Sequence, residues 1–406
     1  NNTEHEFMFE IGEAPKVDVA LSAKDKLVYN TIKVDKKMHN DYRTNYLRRY
    51  GRLVDADKVT MPELKFYLSD DANNMLTNYK NGDWLLIDDV PTNEIASLKT
   101  EYPEEVVVSG QLGTYYVCWN INEEILPEGS ELTGTAAEAA KAEIRNAMGL
   151  LFDRNHIVEE ISQAGEVPAS SFVAMGLTEA DGSTQFYKVA NSTEDAFDGY
   201  FNTAKDAFKA NYDSAVETLK KYYTFDEATG KFTDFPTLHY IYNTNDGHKA
   251  IAEYIQSAFA TVGVTMTLEN QEWNTFLNTR KNGEYSVARN GWLGDYNDPI
   301  SFLDMWITES GNNDTQFGRD AHGEFAGYNG KTWAESYDAI IAQVKASSDA
   351  NERFDLMHQA EDILMETGAI CPIYYYTDIF MCSEKLEGFF TTPLGFKYFT
   401  YASVKE

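Results

Sequence analysis

The apolar positions of this chain change period along its length. Residues 6–22, EFMFEIGEAPKVDVALS, predict a strand followed by an extended, proline-containing turn. Residues 64–90 predict strand, helix, strand: LKFYL, then DANNMLTNYKNG, then WLLIDDV. A helix is expected from Pro91-Thr92-Asn93-Glu94, with Thr92 as its N-cap, and two strands at residues 105–108 and 114–120. Beyond residue 121 the helices lengthen. Ala140, Ile144, Ala147 and Leu151 recur at spacings of four, three and four, which is one apolar stripe, and residues 200–223 form another helical stretch. Residues 238–243, LHYIYN, then predict a strand, and Ile251, Ile255, Phe259 and Val262 mark a helix. TMTLEN (265–270) is a strand, EWNTFLNTRKNG a helix ending at Gly283, and YSVARNGW a strand. Near the end, residues 354–365 read as helix and CPIYYYTDIFM as strand. Short strands alternating with helices in two stretches of the chain define an α/β protein of two units.

Composition narrows the class. The 406 residues suffice for two domains, and 43% hydrophobic content excludes a disordered chain. The formal net charge of -31 opposes nucleic acid and anionic lipid surfaces, so no nucleic-acid partner is expected. Three cysteines, Cys118, Cys371 and Cys382, are too few for a disulfide scaffold; Cys118 and Cys371 are expected as free, buried thiols. No stretch reaches the length of a membrane span. The polar opening Asn1-Asn2-Thr3-Glu4 is no signal peptide, so the protein is either cytoplasmic or processed. Residues 33–52 break the acidic pattern with seven Lys/Arg against two Asp/Glu, read first as a solvated helix.

Motifs for catalysis are lacking. The seven histidines offer no i, i+4 pair, and the sequence has no C-x-x-C, G-x-S-x-G, P-loop or G-x-G-x-x-G. Neither a metal, a cofactor nor an enzymatic activity is expected. One segment is dense in recognition chemistry. Trp273, Arg280, Arg289, Trp292, Asp295, Tyr296 and Trp306 fall within residues 273–306, and Asp295-Tyr296-Asn297-Asp298-Pro299 is a turn-forming run directly after a strand. A carboxylate at a strand end suits a ligand ammonium, arginine suits a carboxylate, and aromatic walls suit the ligand body. From spacing alone, core tryptophans beside a structural turn with local ion pairs are the favoured reading of the same residues.

The run LENQEW, FLNTRKNGEYSVARNGW, GDYNDP, SFLDM and SGNND resembles the oligopeptide-binding proteins of ATP-driven bacterial importers, the family 5 extracellular solute-binding proteins. IGEAPKVDVALS, DADKVTMPELKFYLSDDANNML, NGDWLLIDDVPTNEI, LGTYYVCWN, EIRNAMGLLFDRNHIVEEI and AEDILMETGAICPIYYY extend the likeness over nearly all of residues 53–404, plus 7–22. The resemblance implies a periplasmic-binding-protein-like α/β fold, with two lobes joined by crossing hinge strands. Lobe one would hold residues 1–119 and 378–406, and lobe two 120–377, with hinges near Trp119-Asn120 and Tyr376-Thr377. A short peptide would bind between them, with Asp295 on its α-ammonium, Arg289 and Arg280 toward its carboxylate or pocket waters, and Trp273, Trp292 and Tyr296 lining the pocket. A monomer tethered outside the cell by a lipid and docking on a membrane ABC permease is the implied setting. Alternatives are a binder of another small solute, or a domain-deleted surface interaction protein. The departure is internal: only residues 23–52 stand where family members carry an extra second domain.

Overall fold

The computed structural model describes residues 61, 63–69, 71–189, 197–325 and 331–405. The expected strand at 6–22 and the basic segment 33–52 lie outside them. The described residues fall into two compact units: those up to 107, with 379–392 and 396–405, form unit 1, and those from 108 to 378, with 393–395, form unit 2. Trp119, Asn120, Tyr376 and Thr377 all belong to unit 2.

In unit 1, helix α1 (Ala72–Lys80) starts at Asp71, whose carboxylate caps the Asn74 amide at 3.0 Å. Strand β1 (Leu86–Ile87) pairs antiparallel with Cys382 and Met381. A 3-10 turn at Thr92–Glu94 leads into α2 (Ile95–Glu101). Two expectations fail here. Residues 65–69 form no strand, because ring contacts hold them instead: Tyr67 stacks on Trp84 at 5.0 Å and Phe66 meets Phe399 edge-on. Thr92 lies inside the first turn and caps nothing; Pro91 takes the cap position without a side-chain bond.

The two strands expected at 105–108 and 114–120 are one, β2 (Val106–Trp119). Gly110 and Gly113 lie between the two expected strands, and neither has a positive φ; both continue the extended backbone.

Unit 2 is built on a mixed sheet. After β2 come α3 (Gly134–Met148) and β3 (Val167–Pro168), then α4 (Phe208–Leu219). The alternation β4 (Leu238–Asn243), α5 (Asp246–Thr261), β5 (Met266–Gln271), α6 (Trp273–Lys281), β6 (Val287–Leu293) follows. Helices α7 (Lys331–Ala346) and α8 (Ala350–Glu366) precede β7 (Ile370–Cys382). The order within unit 2 is β7-β2-β6-β4-β5, with β3 on β7. Strand β4 is parallel to both β5 and β6, whereas β2 runs antiparallel to β6.

Alternating side chains feed two cores. One face carries Tyr115, Val117, Trp119, Tyr240, Tyr242 and Val287 beneath α3, α4 and α5, including the stripe Ala140, Ile144, Ala147 and Leu151. The other carries Tyr116, Cys118, Ile241 and Ala288 against Phe276, Trp306, α7 and α8. Strand β4 buries apolar side chains on both faces, Leu238, Tyr240 and Tyr242 on one and Ile241 on the other, as a strand with helices above and below requires.

Candidate functional site

Three parallel strands of unit 2 end at one edge of the sheet. In open α/β sheets ligands gather outside the carboxyl ends of such strands. Here β4 ends at Asn243, β5 at Gln271 and β6 at Leu293. Asn243 and His248 follow the first, Trp273 the second, and Asp295 with Tyr296 the third.

Local chemistry fixes each connection. Asn245 caps α5 by accepting from the His248 amide at 3.1 Å, which sets His248 in the first helical turn. Glu272 caps α6 through the Asn274 amide and so starts the helix at Trp273. Gly283 ends the turn after α6 at φ +67°, where a Cβ would sit 2.2 Å from the Ala321 carbonyl. After β6, the Asp295 amide donates to Ser301 Oγ at 2.8 Å. Asp298 receives both guanidinium nitrogens of Arg353, at 3.1 and 3.2 Å, and also the Ile300 amide. The turn 295–299 is thereby held on both sides. Its Asp295 carboxylate stays exposed, with no hydrogen-bonding or ion-pair partner among the described residues. Tyr296 beside it is 46% exposed and Trp273 48% exposed. Trp292 is half-buried and donates its indole N–H to the Ser301 carbonyl at 2.7 Å.

Arg289 is half-buried in the middle of β6. Its Nη1 donates to Asn243 Oδ1 at 3.4 Å and its Nη2 to the Tyr376 hydroxyl at 3.3 Å. The guanidinium lies 5.0 Å over the Tyr115 ring. Among the described residues no carboxylate pairs with it, and its Nε is buried without a hydrogen-bond partner. His248 contributes no second charge. Burial, and then the positive charge of Arg289, hold its pKa down at about 3, so the ring is neutral near pH 7. Its Nδ1 lies 3.3 Å from the Tyr115 hydroxyl.

Arg280 sits elsewhere in the network. It is buried, its Nε lies 2.7 Å from Asp314 Oδ2, and its Nη1 donates to the Arg289 carbonyl at 3.3 Å. It braces β6 from the other face of the sheet. Of the six residues to which the resemblance gives ligand roles, Trp273, Asp295 and Tyr296 thus stand at the strand-end edge. Arg289 and Trp292 rise from β6 itself, and Arg280 is engaged inside the protein. Asn243, His248, Tyr115 and Tyr376 come from distant parts of the chain. Only the polar run Asn243-Thr244-Asn245-Asp246 after an apolar strand could have signalled any of them.

This is the architecture of a two-unit solute-binding protein. Residues 29–314 match the family model for bacterial extracellular solute-binding proteins, family 5, and the chain belongs to that family. It is 27% identical over 368 residues to the oligopeptide-binding protein OppA of Bacillus subtilis, covering 88% of this chain and 58% of that one. It is 30% identical over 335 residues to the periplasmic oligopeptide-binding protein OppA of Salmonella typhimurium, covering 82% and 52%. The chain therefore spans little more than half the length of the curated relatives it matches. Among solved structures, the Escherichia coli murein tripeptide binding protein MppA superposes with a TM-score of 0.63 at 24% identity, over 86% of this chain and 59% of that one. Haemophilus influenzae OppA, in complex with the peptide RPPGFSPFR, gives 0.61 at 23%, over 86% and 60%. At these identities the likeness establishes the fold.

Proposed function

We propose that this chain is the substrate-binding component of an ABC importer and captures short peptides without catalysing any reaction on them. The observation that carries this reading is a pair of unmatched charges on one strand-and-turn segment. Arg289 is a fixed guanidinium with no carboxylate partner, and Asp295, six residues on, is an exposed carboxylate with no cation, both among the described residues. A zwitterionic ligand supplies both missing partners: its carboxylate for Arg289 and its α-ammonium for Asp295. Trp273, Trp292 and Tyr296 offer ring faces to side chains of varied shape, which suits a receptor tolerant of sequence. Arg280 supports Arg289 through its main chain. Relatives named as oligopeptide- and dipeptide-binding proteins favour the same ligand class. No cofactor is needed for such capture. The setting we infer is a monomer outside the cell, lipid-tethered and delivering to a membrane permease. Among the described residues no helix is long and apolar enough to cross a membrane.

The test is Asp295→Asn, which keeps shape and removes charge. Calorimetric affinity for free-amine peptides should fall by about 2–5 kcal/mol, the range for truncating a desolvated charge pair. N-acetylated peptides should bind the wild type poorly. Equal affinity for free and acetylated peptides would rule out the ammonium assignment.

A further inference from the structure

Two glycines lie diagonally across the β2–β6 ladder near Arg289, Gly113 opposite Leu293 and Gly291 opposite Tyr115, and neither is there for backbone freedom. Gly113 on β2 and Gly291 on β6 both lie in regular strands and lack a positive φ. Space is the reason for them. A Cβ on Gly291 would lie 2.2 Å from the Tyr376 hydroxyl and 3.2 Å from the ring carbon that bears it. A Cβ on Gly113 would lie 2.8 Å from Tyr376 Cδ2 and 2.3 Å from Leu293 Cδ2. Tyr376 itself belongs to β7, and β2 separates β7 from β6. Its side chain therefore lies across β2, passes over Gly113, and sets its hydroxyl above Gly291. In the β2–β6 ladder Tyr115 is opposite Gly291 and Val117 opposite Arg289, so Arg289 is two residues from Gly291 on the same face. That brings the Tyr376 hydroxyl within 3.3 Å of Arg289 Nη2.

Neighbouring rings confine Tyr376 in this trough. Its ring meets Tyr374 at 5.6 Å and 90°, and Tyr115 at 6.1 Å and 69°. Tyr115 and Tyr374 stack on each other at 4.8 Å. The phenol cannot swing away without displacing a packed aromatic group. Asn243 and Tyr376 bind the two ends of the guanidinium fork, and Tyr115 supports its plane.

We propose that Gly113, Gly291 and Tyr376 form a positioning device for recognition of a ligand carboxylate: the glycine trough admits the Tyr376 ring, and its hydroxyl fixes the direction in which Arg289 points. The inference rests on the peptide reading given above, since a carboxylate is what Arg289 would meet. Tyr376 acts through Arg289 and is a positioning residue. The trough makes a specific demand. Alanine at 291 clashes with the hydroxyl, but with that oxygen gone the nearest ring carbon is 3.2 Å away, a contact that a small shift relieves.

The experiment is a cycle of Gly291→Ala, Tyr376→Phe and the double variant, read in two ways on the full chain. Thermal unfolding without ligand should show that G291A lowers Tm in the wild type and lowers it much less in the Y376F background. Calorimetry with trialanine and with trialanine amide should show that Y376F weakens the free acid by roughly ten-fold, the scale of one hydrogen bond to a charged group. G291A should weaken it at least as much. The amide should change by less than about two-fold, since it lacks the charge that the guanidinium orientation serves. The double variant should bind trialanine no worse than Y376F alone. Equal Tm losses for G291A in both backgrounds would overturn the trough. Equal losses for acid and amide would overturn the positioning role. A wild type that fails to separate acid from amide, with the thermal coupling intact, would instead bring down the carboxylate reading of Arg289 and the role that depends on it.

Discussion

Arg280 Nε lies 2.7 Å from Asp314 Oδ2, and both side chains are almost wholly buried. Asn290 donates to the same carboxylate oxygen at 3.2 Å, and Tyr285 donates to the Asp314 main-chain carbonyl. Burial drives the Asp314 carboxyl above its ordinary range, while Arg280 and Asn290 pull it back. The pair sits behind β6, and through Arg280 it also holds the carbonyl of Arg289.

Removing one partner leaves the other charge buried and uncompensated. Asp314→Asn should therefore destabilise the protein by about 3–5 kcal/mol in chemical denaturation. The double variant Arg280→Met/Asp314→Leu should lose less than either charge-breaking single change. A loss below about 1 kcal/mol for Asp314→Asn would mean that the pair is solvated in practice.

The thiols should stay reduced and quiet. Cys118 and Cys371 are buried in the two different cores, on opposite faces of the sheet, and all three cysteines are free. Burial pushes Cys118 up to about 11, which removes the nucleophilic thiolate near neutral pH, and it raises Cys371 as well. Cys382 is only half-buried. A thiol reagent on the native protein should label Cys382 first and the other two only on unfolding. A two-dalton difference between reduced and non-reduced intact mass would contradict this.

The sequence was most readable where one element meets one environment. The strand read at 238–243 is β4 residue for residue, because both of its faces are buried and its ends are polar. The stripe from Ala140 to Leu151 was legible because α3 packs one face only. Strand β2 was expected as two strands with Gly113 between them, and the packing that Gly113 serves involves Tyr376, 263 residues away in the chain. Residues 64–68 carry the apolar alternation of a strand, but only Leu64 forms a bridge, and Phe66 and Tyr67 are held by ring contacts. Helix α7 gave no expectation. At the site, Trp273 to Tyr296 stood out because one helix–strand–turn segment carries them. The engagement of Arg280 by Asp314 did not, because the acid lies in a separate loop. Nor did the surround of Arg289, which β2, β4, α5 and β7 assemble through long-range contacts.

Glu361 on α8 makes stability depend on pH. Its Oε1 accepts the amides of Phe172 and Val173 at 3.0 and 2.7 Å, and its Oε2 is buried without a hydrogen-bond partner. Burial is the main cause that raises its pKa from 4.5 to about 8; the two amides oppose the rise and Asp362 adds to it. In the unfolded chain the same carboxyl titrates near 4.5. Between these values the folded protein holds a proton that the unfolded chain has released, so stability must fall as pH rises. The contribution is complete below about pH 4.5 and is lost as pH climbs through about 8. Glutamine in its place keeps an oxygen for the two amides and carries no charge. Glu361→Gln should therefore stand closest to the wild type near pH 5, gain on it as pH climbs to about 8, and hold that gain to pH 9. A rise from 4.5 to about 8 makes the gain on the order of 4–5 kcal/mol, one pKa unit being worth about 1.4 kcal/mol. Denaturation curves of both proteins at pH 5, 7 and 9 measure it. A constant gap between them across that range would show that Glu361 is ionised in the folded protein throughout, with Oε2 satisfied by water.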